Sequence, residues 1–226
     1  MDGGSTWARL SPPAREVMEL ARDLAEELGQ SYIGDEHVLI SLLRHGDSRA
    51  AGLLRQAGLD PADGERRLRR LQEQGLTPRR RVDEAAALRS IGIDVEAVRR
   101  QLVATHGAEA VGEAVWRASR RPWWRGGGRQ QTPLCGPGLF AKRALAYAVE
   151  TADARHSDQV SCEDLLDGVL RDLQTDAERG LSRSERRHLD QLGWELPAGH
   201  PALRLLAEHG ADPAELRERL SPPRAG

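Results

Sequence analysis

The chain has 226 residues, 30% of them charged, 39% hydrophobic and only 4% aromatic, with a formal net charge of −2. That balance suits a helix-rich globular protein and excludes one that binds a polyanion through its overall field. No stretch approaches 18 continuous apolar residues, so no membrane span is expected. A chain of this length makes one large or two small domains and buries roughly 70% of its unfolded surface without needing a metal or disulfide. The two cysteines, Cys135 and Cys162, form no CxxC and suit a reducing compartment, so a cytoplasmic location is expected. The opening "MDGGSTWARLSPP" has no apolar run and reads as neither signal peptide nor anchor.

The first helix follows from Ala14, Val17, Met18, Ala21, Leu24, Ala25 and Leu28, spaced by threes and fours as one apolar stripe. Ser11 is its expected N-cap, Pro12 suits the first turn, and Gly29 ends it. The connection "QSYIG" leads to Asp35, the expected cap of a second helix. That helix, His37 to Leu43, is apolar around most of its circumference and belongs in the middle of a bundle.

A smaller unit then occurs three times, from Leu53, Leu88 and Leu203. Each has a helix end, a turn glycine (Gly58, Gly92, Gly210), one small or apolar residue, a capping aspartate (Asp60, Asp94, Asp212) and a new helix. Three occurrences indicate internal duplication. A longer repeat is fainter: "LFAKRALAYAVETADARHSDQVSCEDLLDGVL" aligns without gaps on "PPAREVMELARDLAEELGQSYIGDEHVLISLL". In that register Ala141 falls on Ala14, Leu145 on Met18 and Glu163 on Glu36. The expected organisation is therefore repeat one over 8–75, an intervening helical segment over 76–112, an Arg/Trp/Gly linker over 113–136, and repeat two over 137–220 interrupted by a polar insert over 174–200.

Candidate chemistry centres on Glu36–His37. A zinc protease needs two histidines four apart on one helix, but the next histidine after His37 is His45, and no H-E-x-x-H occurs. No G-x-S-x-G elbow is present and neither cysteine carries an activating signature. His106, His156, His188, His200 and His209 lie in polar stretches and are expected to be solvated. Neither an enzyme, nor a metal site, nor a cofactor is expected. Glu36 sits in the first turn of its helix, where a carboxylate complements the helix dipole by about 0.3–1 kcal/mol. It either does only that or binds a ligand.

Two copies of a helix, a loop reading roughly Tyr-Ile-Gly-x-Glu-His, an apolar helix and a Gly-x-Asp turn resemble the Clp N-terminal repeat of the Clp unfoldase ATPases. The likeness is strongest over residues 10–70, weaker over 141–173 and 202–220, and implies an all-α bundle with pseudo-twofold symmetry between the repeats. Those ATPases carry a G-x-x-x-x-G-K-[ST] phosphate loop. Lys142, the only lysine here, stands in "GLFAKRAL", so the chain is expected to be a stand-alone domain without that module.

The resemblance further implies a non-enzymatic recognition protein that binds substrates marked with phosphoarginine, adaptors or cyclic peptides, and acts as adaptor or decoy for a Clp ATPase. It places Ser11 with Asp35 and Glu36 in one pocket, where carboxylate meets guanidinium and hydroxyl and amides meet phosphoryl. The second pocket would use Glu163 with Gly138. There Gly138 lacks a hydroxyl, and Asp164 adds a charge that repels phosphate. An adaptor or cyclic-peptide surface would use Trp7, Lys142 and Phe140; a hydrophobic staple explains Trp7 equally well. A reading from another class uses the linker, where Arg117, Arg120, Arg121, Arg125 and Arg129 interleave with Trp116, Trp123 and Trp124 as in single-stranded nucleic acid sites. The neutral total charge counts against nucleic acid. An inert paralogue with lost pockets is the third reading.

Overall fold

The computed structural model describes residues 3–30, 32–80, 92–107, 110–111, 136–137, 139–180, 182–183, 186–187, 194–196 and 199–220. The linker over 113–136, apart from Gly136, lies outside the described residues, as does Gly138, and so the Trp/Arg reading does too.

The elements in order are α1 (Gly3–Arg9), α2 (Pro12–Glu27), β1 (Tyr32–Ile33), α3 (Asp35–His45), α4 (Arg49–Gln56), α5 (Pro61–Glu73), β2 (Arg79–Arg80), α6 (Val95–His106), β3 (Gly136–Pro137), α7 (Leu139–Ala154), α8 (Cys162–Arg179), β4 (Trp194–Glu195), α9 (Pro201–Ala207) and α10 (Pro213–Leu220). The fold is all-α; the strands are two-residue pairings. None of the described helices is long and apolar enough to cross a membrane.

α2 forms where expected, with its stripe Ala14, Val17, Met18, Ala21, Leu24 and Ala25 buried and Ser11 Oγ accepting from Ala14 N–H at 3.4 Å. The three turn glycines all have φ near +63° to +85°, the left-handed region where glycine meets no Cβ penalty. Asp60, Asp94 and Asp212 each accept from an amide two or three residues ahead. α3 lies at the centre against α2, α4, α5, α7, α8 and α9, its whole circumference covered from Val38 to Leu43. Its start differs from expectation. Gly34 is the cap residue, and the ring of His37 accepts its N–H at 3.0 Å, so Asp35 is not the cap. α8 also runs on to Arg179, so the insert begins as helix.

The hairpin α2–α3 is matched by α7–α8, and one core cluster, with Met18, Leu42, Leu166 and Leu170, runs through both. The crossing contacts between the repeats are images of each other. Ile33 pairs with Pro137 in the parallel β1–β3 ladder, and Leu10 pairs with Val160, also in parallel. The register that sets Ala14 on Ala141 sets Leu10 on Pro137 and Ile33 on Val160. The start of each repeat's first helix is therefore stitched to the other repeat's loop.

Candidate functional site

This stitching decides which side chains meet. Ser11 N–H donates to Val160 O at 3.0 Å and Val160 N–H donates to Arg9 O at 2.8 Å. Ser11 thus stands beside the residues that open α8, Ser161 to Glu163. A repeat-by-repeat reading expected Ser11 to share a pocket with Glu36; the backbone bond ties Ser11 to the loop of the other repeat.

Around Ser11 the groups are partly open. Ser11, Ser161 and Glu163 are half-buried. Glu163 Oε1 accepts, at a long 3.4 Å, from Ala50 N–H at the start of α4. The N-terminal ends of α4 and α8 therefore converge here, and both favour negative charge. Glu16 stands just over one turn along α2 from Ser11, its side chain 64% exposed and bonded to His45 Nε2 at 3.2 Å. Burial, Glu163 and Glu16 together push the Cys162 thiol up to about 11, so this cysteine is an inert packing residue and the two carboxylates act on one spot. Sequence reasoning missed Glu16, whose only signal is its place on the exposed face of α2. Arg15, next to it, donates to Ala8 O, while its Nε has no hydrogen-bond acceptor.

Asp164 does not repel as expected. It is buried, takes the Ser161 N–H at 2.8 Å and the Ser161 hydroxyl at 2.9 Å, and is ion-paired to Arg155. Its charge is spent on capping α8 and on that pair.

The first-repeat side is closed. Glu36 is 1% exposed, where an outward carboxylate was expected. The Tyr32 hydroxyl donates to Glu36 Oε1 at 2.6 Å, and the carboxylate folds back so far that a Cβ at Gly34 would fall 2.5 Å from both its oxygens. His37 is fully buried, and burial lowers it to about 3, so its ring is neutral and serves the cap. Burial raises Glu36 to about 6, the Tyr32 hydroxyl holding it back. A carboxyl whose folded-state value lies above its ordinary 4.5 is favoured by protonation, and its burial costs stability as pH rises through that interval. Glu36→Gln is therefore expected to stabilise the protein by about 2 kcal/mol above pH 7 and to be neutral below about pH 4. Urea titrations at both pH values measure it; an equal effect at the two would contradict the burial.

Asp35, expected as a ligand group, is instead part of an internal network. It is fully buried, and burial, Asp172 and Glu36 all raise its carboxyl well above the usual range. Arg143 grips Asp172 through Nε at 2.7 Å and a terminal nitrogen at 3.2 Å. His200, expected to be solvated, is buried, and burial and Arg143 lower it to about 3. His209 likewise is held by Leu205 O and Asp63. Ligand-type atoms of Asp35, Asp172 and His200 lie within 4.8 Å of one another. They do not suit a cation. His200 Nδ1 accepts from Ala202 N–H at 3.2 Å, so the hydrogen is on Nε2, which faces Asp35 at 3.6 Å, and the guanidinium already spans Asp172. The cluster clamps α3, α7, α8 and α9 together.

On the expected adaptor surface, Trp7 is 8% exposed and belongs to the core cluster, and its helix α1 packs on α7. Lys142 is exposed in the first turn of α7. Phe140 lies in that turn, its side chain outside the described residues.

The architecture and the crossed helix starts define a double-repeat helical fold. Residues 9–86 match the family model of the Clp repeat (R) N-terminal domain. Among curated proteins, the chloroplastic chaperone protein ClpC of Pisum sativum is 45% identical over 53 residues, which cover 24% of this chain and 6% of that protein. The chaperone protein ClpB of Oceanobacillus iheyensis is 45% identical over 49 residues, 22% of this chain and 6% of that one. The matched part thus spans about 6% of the length of these relatives. Among solved structures, the N-terminal domain of the chaperone ClpD from Arabidopsis thaliana aligns over 90% of this chain and 93% of that one, at 14% identity and a TM-score of 0.39.

Proposed function

We propose that this protein is a non-enzymatic, cytoplasmic peptide-recognition module of the Clp type. On this reading its working site is the crossed one, Ser11 with Glu163, and its guests are segments carrying phosphoarginine on substrates or adaptors of a Clp ATPase. The supporting observation is the Ser11 N–H to Val160 O bond, which seats a half-buried hydroxyl beside a half-buried carboxylate. A phosphoarginine side chain is cationic-to-neutral at its guanidine and anionic at its phosphoryl end. Glu163 and Glu16 would take the guanidine N–H groups. The Ser11 hydroxyl and the amides that start α8 would take the phosphoryl oxygens. Pro12 and Pro13 supply no N–H, so α8 rather than α2 provides the amides. Lys142 offers a cation for a second contact of an adaptor or cyclic peptide.

The test is a calorimetric titration of the full chain with a phosphoarginine peptide and its unmodified twin. The modified peptide is expected to bind and the twin not to bind. Glu163→Gln is expected to weaken binding by roughly tenfold or more, the loss of one charge-assisted bond. Equal affinity for both peptides, or for wild type and variant, would refute the assignment.

A further inference from the structure

The two repeats present the same carboxylate in opposite states. Glu163 is half-buried, while its counterpart Glu36 is 1% exposed. The difference lies in what surrounds each. Tyr32, which draws Glu36 inward, corresponds in the repeat register to Gln159, which is exposed and has no phenol. Among the described residues the insert meets Tyr32 through Trp194. β4 pairs antiparallel with β2, Arg80 opposite Trp194 and Arg79 opposite Glu195, and Arg79 Nε holds Glu195 Oε2 at 2.6 Å. This sets the Trp194 ring edge-on to Tyr32, centroids 5.5 Å apart at 85°, the favoured geometry for an aromatic pair. Further along, His200 starts α9 and reaches Asp35 at 3.6 Å, directly before Glu36. The second repeat's insert therefore contacts the first repeat's loop at both Tyr32 and Asp35.

We propose that Trp194 is a built-in occupant of the first-repeat site: it holds Tyr32 down over Glu36, closes that site to guests and leaves the chain with one working site. What the opened site would bind rests on the function proposed above; whether Trp194 closes it does not. A two-residue strand whose pair to Arg79 is exposed is a weak tether, suited to release when a partner competes for Trp194.

Carbodiimide labelling of carboxylates on the folded full chain, read by mass spectrometry, tests the closure without any ligand. In the wild type Glu163 labels and Glu36 does not. In Trp194→Ala, Glu36 labelling is expected to rise at least roughly fivefold with Glu163 unchanged, the fold set by loss of the aromatic pair. Glu195→Lys, which breaks the exposed pair to Arg79, is expected to raise it in the same direction and guards against a folding defect at position 194. Glu36 labelling that stays at the wild-type level in both variants, or that already equals Glu163 in the wild type, overturns the proposal. Peptide stoichiometry separates the two readings: a rise from one to two supports both. Opening of Glu36 with no peptide bound by any form upholds the closure and refutes only the binding function.

Discussion

Arg143→Leu is expected to lower stability by about 3–5 kcal/mol, the cost of breaking a buried ion pair from one side. The guanidinium spans both oxygens of Asp172, which has no exposed side-chain surface, and it also moderates the raised carboxyl of Asp35. Without it, two acids from α3 and α8 face each other in a closed space, and at neutral pH both must take up protons or the helices must part. Replacing both partners, Arg143→Leu with Asp172→Leu, is expected to recover most of the loss, because a buried pair contributes little over a well-packed apolar one. Denaturant midpoints at constant slope measure both changes. A single variant within 1 kcal/mol of wild type would show that the network is open to water, contrary to the burial.

Gly168→Ala is the second large effect, expected to cost about 3 kcal/mol or more by overpacking. A Cβ at this position would sit 2.2 Å from Ala144 O and 2.9 Å from Ala148 N, both backbone atoms of α7 that no rotamer change can move aside. The Ala144, Ala148 and Ala152 face lets α7 and α8 approach this closely, and an added methyl pushes them apart. The melting temperature is expected to fall by roughly 6–12 °C at this chain length. At the matching point of repeat one stands Ser41, whose buried hydroxyl finds no partner. Ser41→Ala is expected to be neutral or slightly stabilising, so the contrast isolates backbone contact from mere position.

The helices were legible because their causes are local. The α2 stripe, the apolar α3 and the Gly-x-Asp turns each follow from spacing within one repeat, and the all-α double repeat follows from finding them twice. The site was half legible. Ser11 and Glu163 are visible as residues, but which loop meets which helix start is a contact between repeats, and periodicity inside a repeat carries no information about it. The burial of Glu36 depends on Tyr32 four residues earlier in an extended segment and on Trp194 far along the chain. Asp172 had a readable signal: an acid next to Leu170 and Leu173 in an apolar helix face is buried only with a partner, and Arg143 was the cation nearest in the matching helix. His200 misled because Gly199 and Pro201 flank it as in a solvated turn, while its ring in fact starts α9 from inside.

A crystal of the wild-type chain soaked with free phosphoarginine tests the recognition account most directly. Ligand density is expected between Ser11 and Glu163, phosphoryl group toward Ser161 and the start of α8, with Glu36 still covered by Tyr32. Density at Tyr32–Glu36 instead, or an empty Ser11–Glu163 cleft at saturating ligand, would contradict it.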